Sequence, residues 1–164
     1  EGVGAKDPDI YAATILFHLL GSGFEGRLMK EIRVKRGLTY GIGVGLLPME
    51  QAHIFEGGMA TSSQNATEAI EAVKQILKDL AQNGATQEEV NKSKDSLINS
   101  YVLGFTQTSQ IAGQLVGAQL AQRDINYFNK RNDLIQAVRL EDVNRVAKRL
   151  LNVDKLPFIK VGKK

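Results

Sequence analysis

The 164-residue sequence contains no cysteine and only two histidines. Without cysteine the chain forms no disulfide, no thiolate zinc site and no iron–sulfur cluster, and it has no thiol nucleophile. No apolar run approaches the roughly 18–20 residues that cross a bilayer, so the sequence predicts no transmembrane segment. The formal net charge of +3 is too small to indicate binding to nucleic acid.

The remaining composition is that of an ordinary folded domain, with 43% hydrophobic and 24% charged residues. The length fits one domain with a sizeable core. The sequence begins at Glu1 rather than Met and lacks the layout of a signal peptide. We therefore expect residues 1–164 to be a single domain that is a fragment of a larger protein.

Capping and turn signals predict a short sheet followed by many helices. Asp7-Pro8, an N-cap followed by proline at the first helical position, predicts a helix that ends at Gly21. Six further helices are predicted over residues 25–35, 65–82, 86–103, 107–122, 127–138 and 140–151. Those over 65–82 and 86–103 begin with capping boxes at Asn65–Glu68 and Thr86–Glu89. Strands are predicted over residues 40–47 and 52–61, joined by a turn over 47–51, with a final edge strand over 155–161. This order favours an α+β fold, an antiparallel sheet with helices packed on one face.

The first predicted strand alternates apolar residues with Gly41, Gly43 and Gly45. Glycine weakens a strand unless something approaches the backbone closely. Close packing of a helix or strand would explain the pattern without any function. As a nucleotide-binding loop it has the wrong spacing and the wrong surroundings.

The two histidines do not predict a metal site. His18 lies in an apolar helix and His53 near a turn, 35 residues further on, each without a partner at ligand spacing. Neither H-x-x-E-H nor H-E-x-x-H occurs. Ser22 lacks the G-x-S-x-G pattern of a nucleophile elbow. We expect no metal and no catalytic serine in this chain.

Arg33 and Tyr40 are the candidate site residues. Arg33 falls in the last turn of the second predicted helix, Gly37 ends that helix, and Tyr40 opens the strand seven residues after Arg33. A guanidinium can hold a carbonyl or carboxylate, and a phenol can donate to a developing oxyanion. From the residues alone, a Tyr40 packed on the core and an Arg33 that is merely a surface cation remain an open alternative.

Three segments resemble the C-terminal-type domain of the M16 (pitrilysin/insulinase) zinc metallopeptidases: DPDIY at 7–11, LLGSGFEGRL at 19–28 and IRVKRGLTY at 32–40. The similarity spans most of the chain and is strongest over residues 2–61. It implies an α+β domain that faces a homologous domain as in a clam shell. It also implies that the facing domain holds zinc through an inverted H-x-x-E-H helix and a downstream Glu. Domains of this type usually begin with one more strand, so we expect the sheet to lack its first strand.

The resemblance implies that Arg33 positions substrate and that Tyr40 stabilises the oxyanion, opposite the zinc-bound water of the facing domain. This chain would hold no cofactor itself and would be inactive alone. Its partners would be an H-x-x-E-H domain, in the same chain or another subunit, and a peptide substrate. The family also includes non-catalytic subunits, such as processing-peptidase regulatory subunits and bc1 core proteins, so a structural or partner-binding role is the alternative. The bacterial periplasm and cytoplasm both remain open.

Overall fold

The computed structural model describes residues 2–49 and 52–162. Its two strands are β1 (Gly41–Pro48) and β2 (His53–Ala60). Its six α-helices in that part of the chain are α1 (Ile10–Gly21), α2 (Ala66–Asn83), α3 (Gln87–Asn99), α4 (Thr108–Leu120), α5 (Tyr127–Ala137) and α6 (Leu140–Leu150). A π-helix spans Met29–Lys35, and short 3₁₀ helices span Gly23–Glu25, Tyr101–Phe105 and Val153–Lys155.

The strands form an antiparallel pair whose register runs from Gly41 opposite Ala60 to Pro48 opposite His53. One face carries the apolar residues of β1 and packs on α1, where the rings of Phe55 and Phe17 lie 4.9 Å apart. The predicted α+β class, with helices on one face of an antiparallel sheet, is confirmed. The other face carries the glycines of β1, where an added Cβ would meet no atom within 4 Å. Internal packing of the described residues therefore does not account for these glycines.

Helix α1 is the centre of the core. It is apolar on nearly all sides, as expected of a helix that is covered all round. Ile15, Leu16 and Leu20 are fully buried. The helix contacts β1, α3 and α6, and α6 contributes the fully buried Val143 and Val146. These contacts fix the sheet on one side of α1 and the helices on the others.

The start of α1 differs from the prediction. The helix begins at Ile10 rather than Pro8, because Asp7 accepts a hydrogen bond from the Asp9 N–H (2.8 Å) and forms a turn ahead of the helix. The Asp9 carboxylate does not cap the helix, since it bonds to Arg145 (2.8 Å) and Arg149 (2.7 Å) of α6. The hydrogen bond from Arg145 lowers the pKa of Asp9 despite partial burial, and Arg149 adds to this effect. Two ion pairs to another helix thus replace a local cap.

The two predicted capping boxes have different outcomes. At Thr86 the box forms, with the Glu89 N–H donating to the hydroxyl (3.2 Å) and the Glu89 carboxylate accepting from the Thr86 N–H (2.8 Å). At Asn65 no side-chain cap forms, because the residue takes helical rather than extended backbone angles. Helix α3 also ends at Asn99, short of the predicted residue 103, and the chain continues as a 3₁₀ helix.

The predicted edge strand over residues 155–161 is wrong. Residues 156–161 have no regular structure, and Ile159 and Val161 lie exposed. A strand needs a partner for its backbone groups, and the pattern of side chains cannot supply one. Phe158 instead lies under the Lys74 ammonium, 5.3 Å from the ring centroid. Residues 50 and 51 of the predicted turn lie outside the described residues.

His18 should make the fold sensitive to mild acid. Its Nδ1 is sealed from solvent without a hydrogen-bond partner among the described residues, and burial lowers its pKa below the usual 6.5. The unfolded chain therefore binds more protons as pH falls through about 6.5, so stability should decrease from there until the folded pKa is passed. Urea unfolding at about pH 7.5 and pH 5 measures this loss.

The variant His18→Gln should flatten that pH dependence. Carboxylates such as Asp9 act at lower pH, so they do not obscure the comparison. An identical loss in the wild type and in His18→Gln would show that another group is responsible.

Candidate active site

Arg33 and Tyr40 lie together at the surface. The guanidinium carbon of Arg33 is 4.9 Å from the centroid of the Tyr40 ring, within the range of a cation–π contact. Tyr40 is 86% exposed, although strand alternation alone would have turned it with Ile42 toward the core. The sequence left open a Tyr40 packed on the core, and the exposure of the ring excludes that arrangement.

The π-helix and β1 bring the two side chains together. Ile32, beside Arg33, is fully buried and anchors the helix, and Leu38 is buried and anchors the connection. Gly37 ends the helix with φ of 64°, a left-handed conformation that favours glycine. The chain therefore reverses direction between Arg33 and Tyr40 and leaves both side chains on one side of the turn.

Two threonines hold the backbone on either side of Tyr40. The Thr39 hydroxyl lies 2.8 Å from the Gly41 carbonyl and 2.6 Å from the Ala60 carbonyl, and it accepts from the Gly41 N–H (3.1 Å). The Thr61 hydroxyl donates to the Leu38 carbonyl (2.5 Å). No pattern in the sequence indicates this role, although Thr39 adjoins Tyr40. Together they fix the start of β1 while the tyrosine ring extends into solvent.

The surroundings of the pair are cationic. Arg36, three residues after Arg33, is exposed, and Lys35 is paired with Glu31 across one turn (2.5 Å). A guanidinium and a phenol can together hold a carbonyl or carboxylate and donate to an oxygen that gains negative charge. The site is therefore suited to binding the polar backbone of a substrate.

Arg27, within the LLGSGFEGRL segment, holds two parts of the fold together. Its guanidinium donates two hydrogen bonds to the Glu89 carboxylate (2.5 and 2.7 Å) and one to the Gly84 carbonyl (3.2 Å). It thus fastens the segment that precedes the π-helix to the beginning of α3. The sequence marked Arg27 as part of the resemblance but did not reveal its partners, which lie at least 52 residues away.

The described residues contain no group of three or more His, Asp or Glu that could hold a metal ion. Of the two histidines, His53 packs its ring over Gly4 and His18 lies in α1. Residues 2–49 and 52–162 also contain no helix long and apolar enough to cross a membrane.

Comparisons with known proteins show which family and which proteins this chain is similar to. Residues 1–97 match the family model described as the peptidase M16 inactive domain. A protein named non-peptidase homolog YmxG, from Helicobacter pylori, is 27% identical over 156 residues, covering 95% of this chain and 36% of the relative. A protein named as an uncharacterized zinc protease, from Mycobacterium tuberculosis, is 27% identical over 147 residues, covering 87% of this chain and 32% of the relative. The chain thus spans about a third of the length of these curated relatives.

Solved structures agree with the family match. The peptidase M16 inactive domain from Pseudomonas fluorescens is 32% identical with a TM-score of 0.83, covering 94% of this chain and 37% of that one. A protease from Helicobacter pylori shares the fold at 22% identity, with a TM-score of 0.74, covering 90% of this chain and 36% of that one. The resemblance stated from the sequence is confirmed: the chain belongs to the peptidase M16 inactive domain family.

Proposed function

We propose that this chain is the zinc-free half of an M16-type metallopeptidase and that it completes a peptide-hydrolysing chamber opposite an H-x-x-E-H domain. That domain would belong to the same polypeptide or to another subunit. The observation that carries the proposal is the contact between Arg33 and Tyr40, whose ring is exposed at a rigidly held turn. The exposed Tyr40 ring adds little to the core of the domain.

In this role the Tyr40 hydroxyl donates a hydrogen bond to the carbonyl oxygen of the scissile peptide as negative charge develops there. Arg33 binds a carbonyl or carboxylate of the substrate and orients the Tyr40 ring through the cation–π contact. Zinc, held by the facing domain, would supply Lewis-acid activation of water. The described part of this chain offers no ligand set for it, so the chain by itself would have no activity.

A second candidate function is supported by the name of one relative, a non-peptidase homolog. In that case the domain would bind a partner or a peptide without chemistry, as a structural subunit. Arg33 and Tyr40 would then contribute to affinity alone.

Reconstitution distinguishes the two functions. The chain is mixed with a separately produced H-x-x-E-H domain of the same family, and cleavage of a quenched fluorescent peptide is followed. We expect that neither component alone cleaves and that the mixture does, with the activity lost on chelation of zinc. A stable complex that cleaves no faster than the H-x-x-E-H domain alone would reject the catalytic role and support the structural one.

A further inference from the structure

Two arginines near the beginning of α5 have no acidic partner. Within residues 2–49 and 52–162, no carboxylate forms an ion pair with Arg123 or Arg131, and both side chains are half-buried. Arg27, Arg145 and Arg149, in contrast, each reach a carboxylate. A cation that is partly withdrawn from water without a counter-charge costs free energy. The guanidiniums of Arg123 and Arg131 therefore bring positive charge to this surface without a direct counter-charge.

Each of these guanidiniums is stacked on a tyrosine ring. The guanidinium carbon of Arg123 lies 4.1 Å from the centroid of the Tyr127 ring, and that of Arg131 lies 4.3 Å from the centroid of the Tyr101 ring. Arg131 also donates to the Leu97 carbonyl through Nη1 (2.8 Å). Stacking holds both side chains in a defined orientation. A ligand would therefore bind them with little further loss of side-chain entropy.

The two stacked pairs lie next to each other. Tyr127 and Arg131 are four residues apart in α5, so they share one face of the helix on successive turns. A series of ring contacts links the two pairs: Tyr127 to Phe128 at 5.6 Å, Phe128 to Phe105 at 6.0 Å, and Phe105 to Tyr101 at 5.1 Å between centroids. The series ends at the ring on which Arg131 is stacked.

Tyr11 of α1 completes the group, so three of the four tyrosines of the chain lie here. Burial raises the pKa of Tyr11 and of Tyr101 above the usual 10, Tyr127 adds to the rise, and Arg123 and Arg131 oppose it. The three phenols and the two guanidiniums are thus close enough to act on one another, and they are called here the α5 cluster. At neutral pH the Tyr11 and Tyr101 phenols remain protonated.

The cluster has hydrogen-bond donors that are open to a ligand. In the described part of the chain, the Arg123 guanidinium and the hydroxyls of Tyr11 and Tyr127 have no hydrogen-bond partner. None of them is among the partnerless side-chain atoms that are sealed from water. Arg131 uses Nη1 for the Leu97 carbonyl and keeps its Nε and Nη2 groups. These donors therefore face water from a partly buried, positively charged surface.

The charge and the donors of the α5 cluster fit a phosphate group. Two guanidiniums supply two positive charges, and a phosphomonoester carries close to two negative charges at neutral pH. A planar guanidinium matches two phosphate oxygens, and the remaining oxygen accepts from phenols. A carboxylate brings one charge, so it would leave one cation without a counter-charge. The Asp124 carboxylate, next to Arg123 in the chain, already accepts from the Asn126 N–H (2.7 Å).

We propose that the α5 cluster binds a phosphate dianion, held by the guanidiniums of Arg123 and Arg131 and by the hydroxyls of Tyr11 and Tyr127. Inorganic phosphate and a phosphomonoester share this chemistry. The proposal is independent of the function proposed for Arg33 and Tyr40, because the α5 cluster contains neither residue.

A two-dimensional ¹H–¹⁵N NMR titration of the chain with inorganic phosphate tests the proposal, at about pH 7.5 and a fixed ionic strength of about 0.15 M. We expect saturable shifts centred on residues 101 and 123–131, with a dissociation constant of about 1 mM or tighter. Acetate, with one charge, should bind at least about tenfold more weakly. O-phosphoserine is titrated in parallel, and tighter binding than that of inorganic phosphate identifies a phosphomonoester as the preferred form, whereas weaker binding identifies free phosphate.

Two variants assign the donors. Arg123→Gln should weaken phosphate binding at least about tenfold, and Tyr127→Phe should weaken it about fivefold, because it removes one hydroxyl and keeps the ring under Arg123. Neither group has a hydrogen-bond partner among the described residues, so both variants should fold, which circular dichroism checks. Lys148→Gln is the matched control, since it removes an exposed cation from α6, outside the cluster, and should leave the affinity unchanged.

Four results would overturn the proposal. The first is the lack of saturable shifts up to about 20 mM phosphate, and the second is shifts centred on another part of the chain. The third is unchanged affinity in both Arg123→Gln and Tyr127→Phe. The fourth is an equal loss in Lys148→Gln, which would show attraction to net charge rather than binding at a site.

Discussion

Tyr40→Phe should lower kcat of the enzyme assembled with an H-x-x-E-H domain by about 10²–10³-fold, the usual cost of removing one oxyanion donor. The substitution removes one hydroxyl and keeps the ring, so the contact with Arg33 and the local fold should persist. Because the hydroxyl acts only as charge develops on the substrate oxygen, KM should change little. Steady-state kinetics with a peptide substrate, together with zinc content measured by metal analysis, give the result.

Arg33→Ala should raise KM and lower kcat, since it removes both a substrate contact and the group that orients the ring. Arg33→Lys keeps the charge but loses the planar fork and should recover only part of the activity. The matched control is Arg36→Ala, which removes an exposed cation three residues further along the chain and should have a small effect. Normal turnover in Tyr40→Phe and Arg33→Ala, or a loss explained by missing zinc, would reject the assignment.

Arg27→Ala should lower the free energy of unfolding by about 2–3 kcal/mol. This is the largest effect on stability that we expect from replacing a single charged residue of this domain. Its guanidinium is mostly covered and holds both Glu89 and the Gly84 carbonyl. Burial acts to raise the pKa of Glu89, but hydrogen bonds from Arg27 and Thr86 outweigh burial and lower the pKa to about 2. Without Arg27, a partly buried carboxylate and a backbone carbonyl lose their partner.

The pH dependence gives this prediction a second measurement. Because the folded pKa of Glu89 is about 2 and its ordinary value is 4.5, the stabilisation is complete above about pH 4.5 and is lost as pH falls from there toward 2. Arg27→Ala should raise the folded pKa and reduce that acid loss, which urea unfolding at about pH 7 and pH 3 detects.

Lys92→Ala is the matched control for Arg27→Ala, since it breaks an exposed pair with Glu88 across one helical turn and should change the stability little. Equal effects of the two substitutions at neutral pH would show that the Arg27 contacts contribute nothing beyond a surface ion pair.

Much of the fold could be predicted because it depends on local signals. The terminal glycine of α1 and the capping box at Thr86 are signals that act within a few residues. The left-handed turn at Gly37 is of the same kind, and it located the junction between Arg33 and Tyr40. The side of the turn to which Tyr40 projects was left open by the sequence, because strand alternation alone would have turned its ring toward the core.

What could not be predicted depends on residues far apart in the chain. The Asp9 carboxylate accepts hydrogen bonds from Arg145 and Arg149 instead of capping α1. These arginines follow about 140 residues later, and no local pattern indicates that they would be its partners. The apolar run that ends at Val161 looks like a strand, but the described residues place no open strand beside it. The threonines that brace Tyr40 became visible only once β1 and β2 were paired, because Thr39 reaches the Ala60 carbonyl across the sheet.

Arg33 and Tyr40 are proposed to act as one site, and a double-mutant cycle on kcat measures this most directly. The two side chains touch, and Arg33 is proposed to orient the ring from which the Tyr40 hydroxyl donates, so their effects on kcat should not be independent. In the assembled enzyme, Arg33→Ala combined with Tyr40→Phe should be at most a few-fold slower than Tyr40→Phe alone, with full zinc content. Rate losses that multiply would mean that the two residues act separately, and an unchanged kcat would mean that neither takes part in the chemistry.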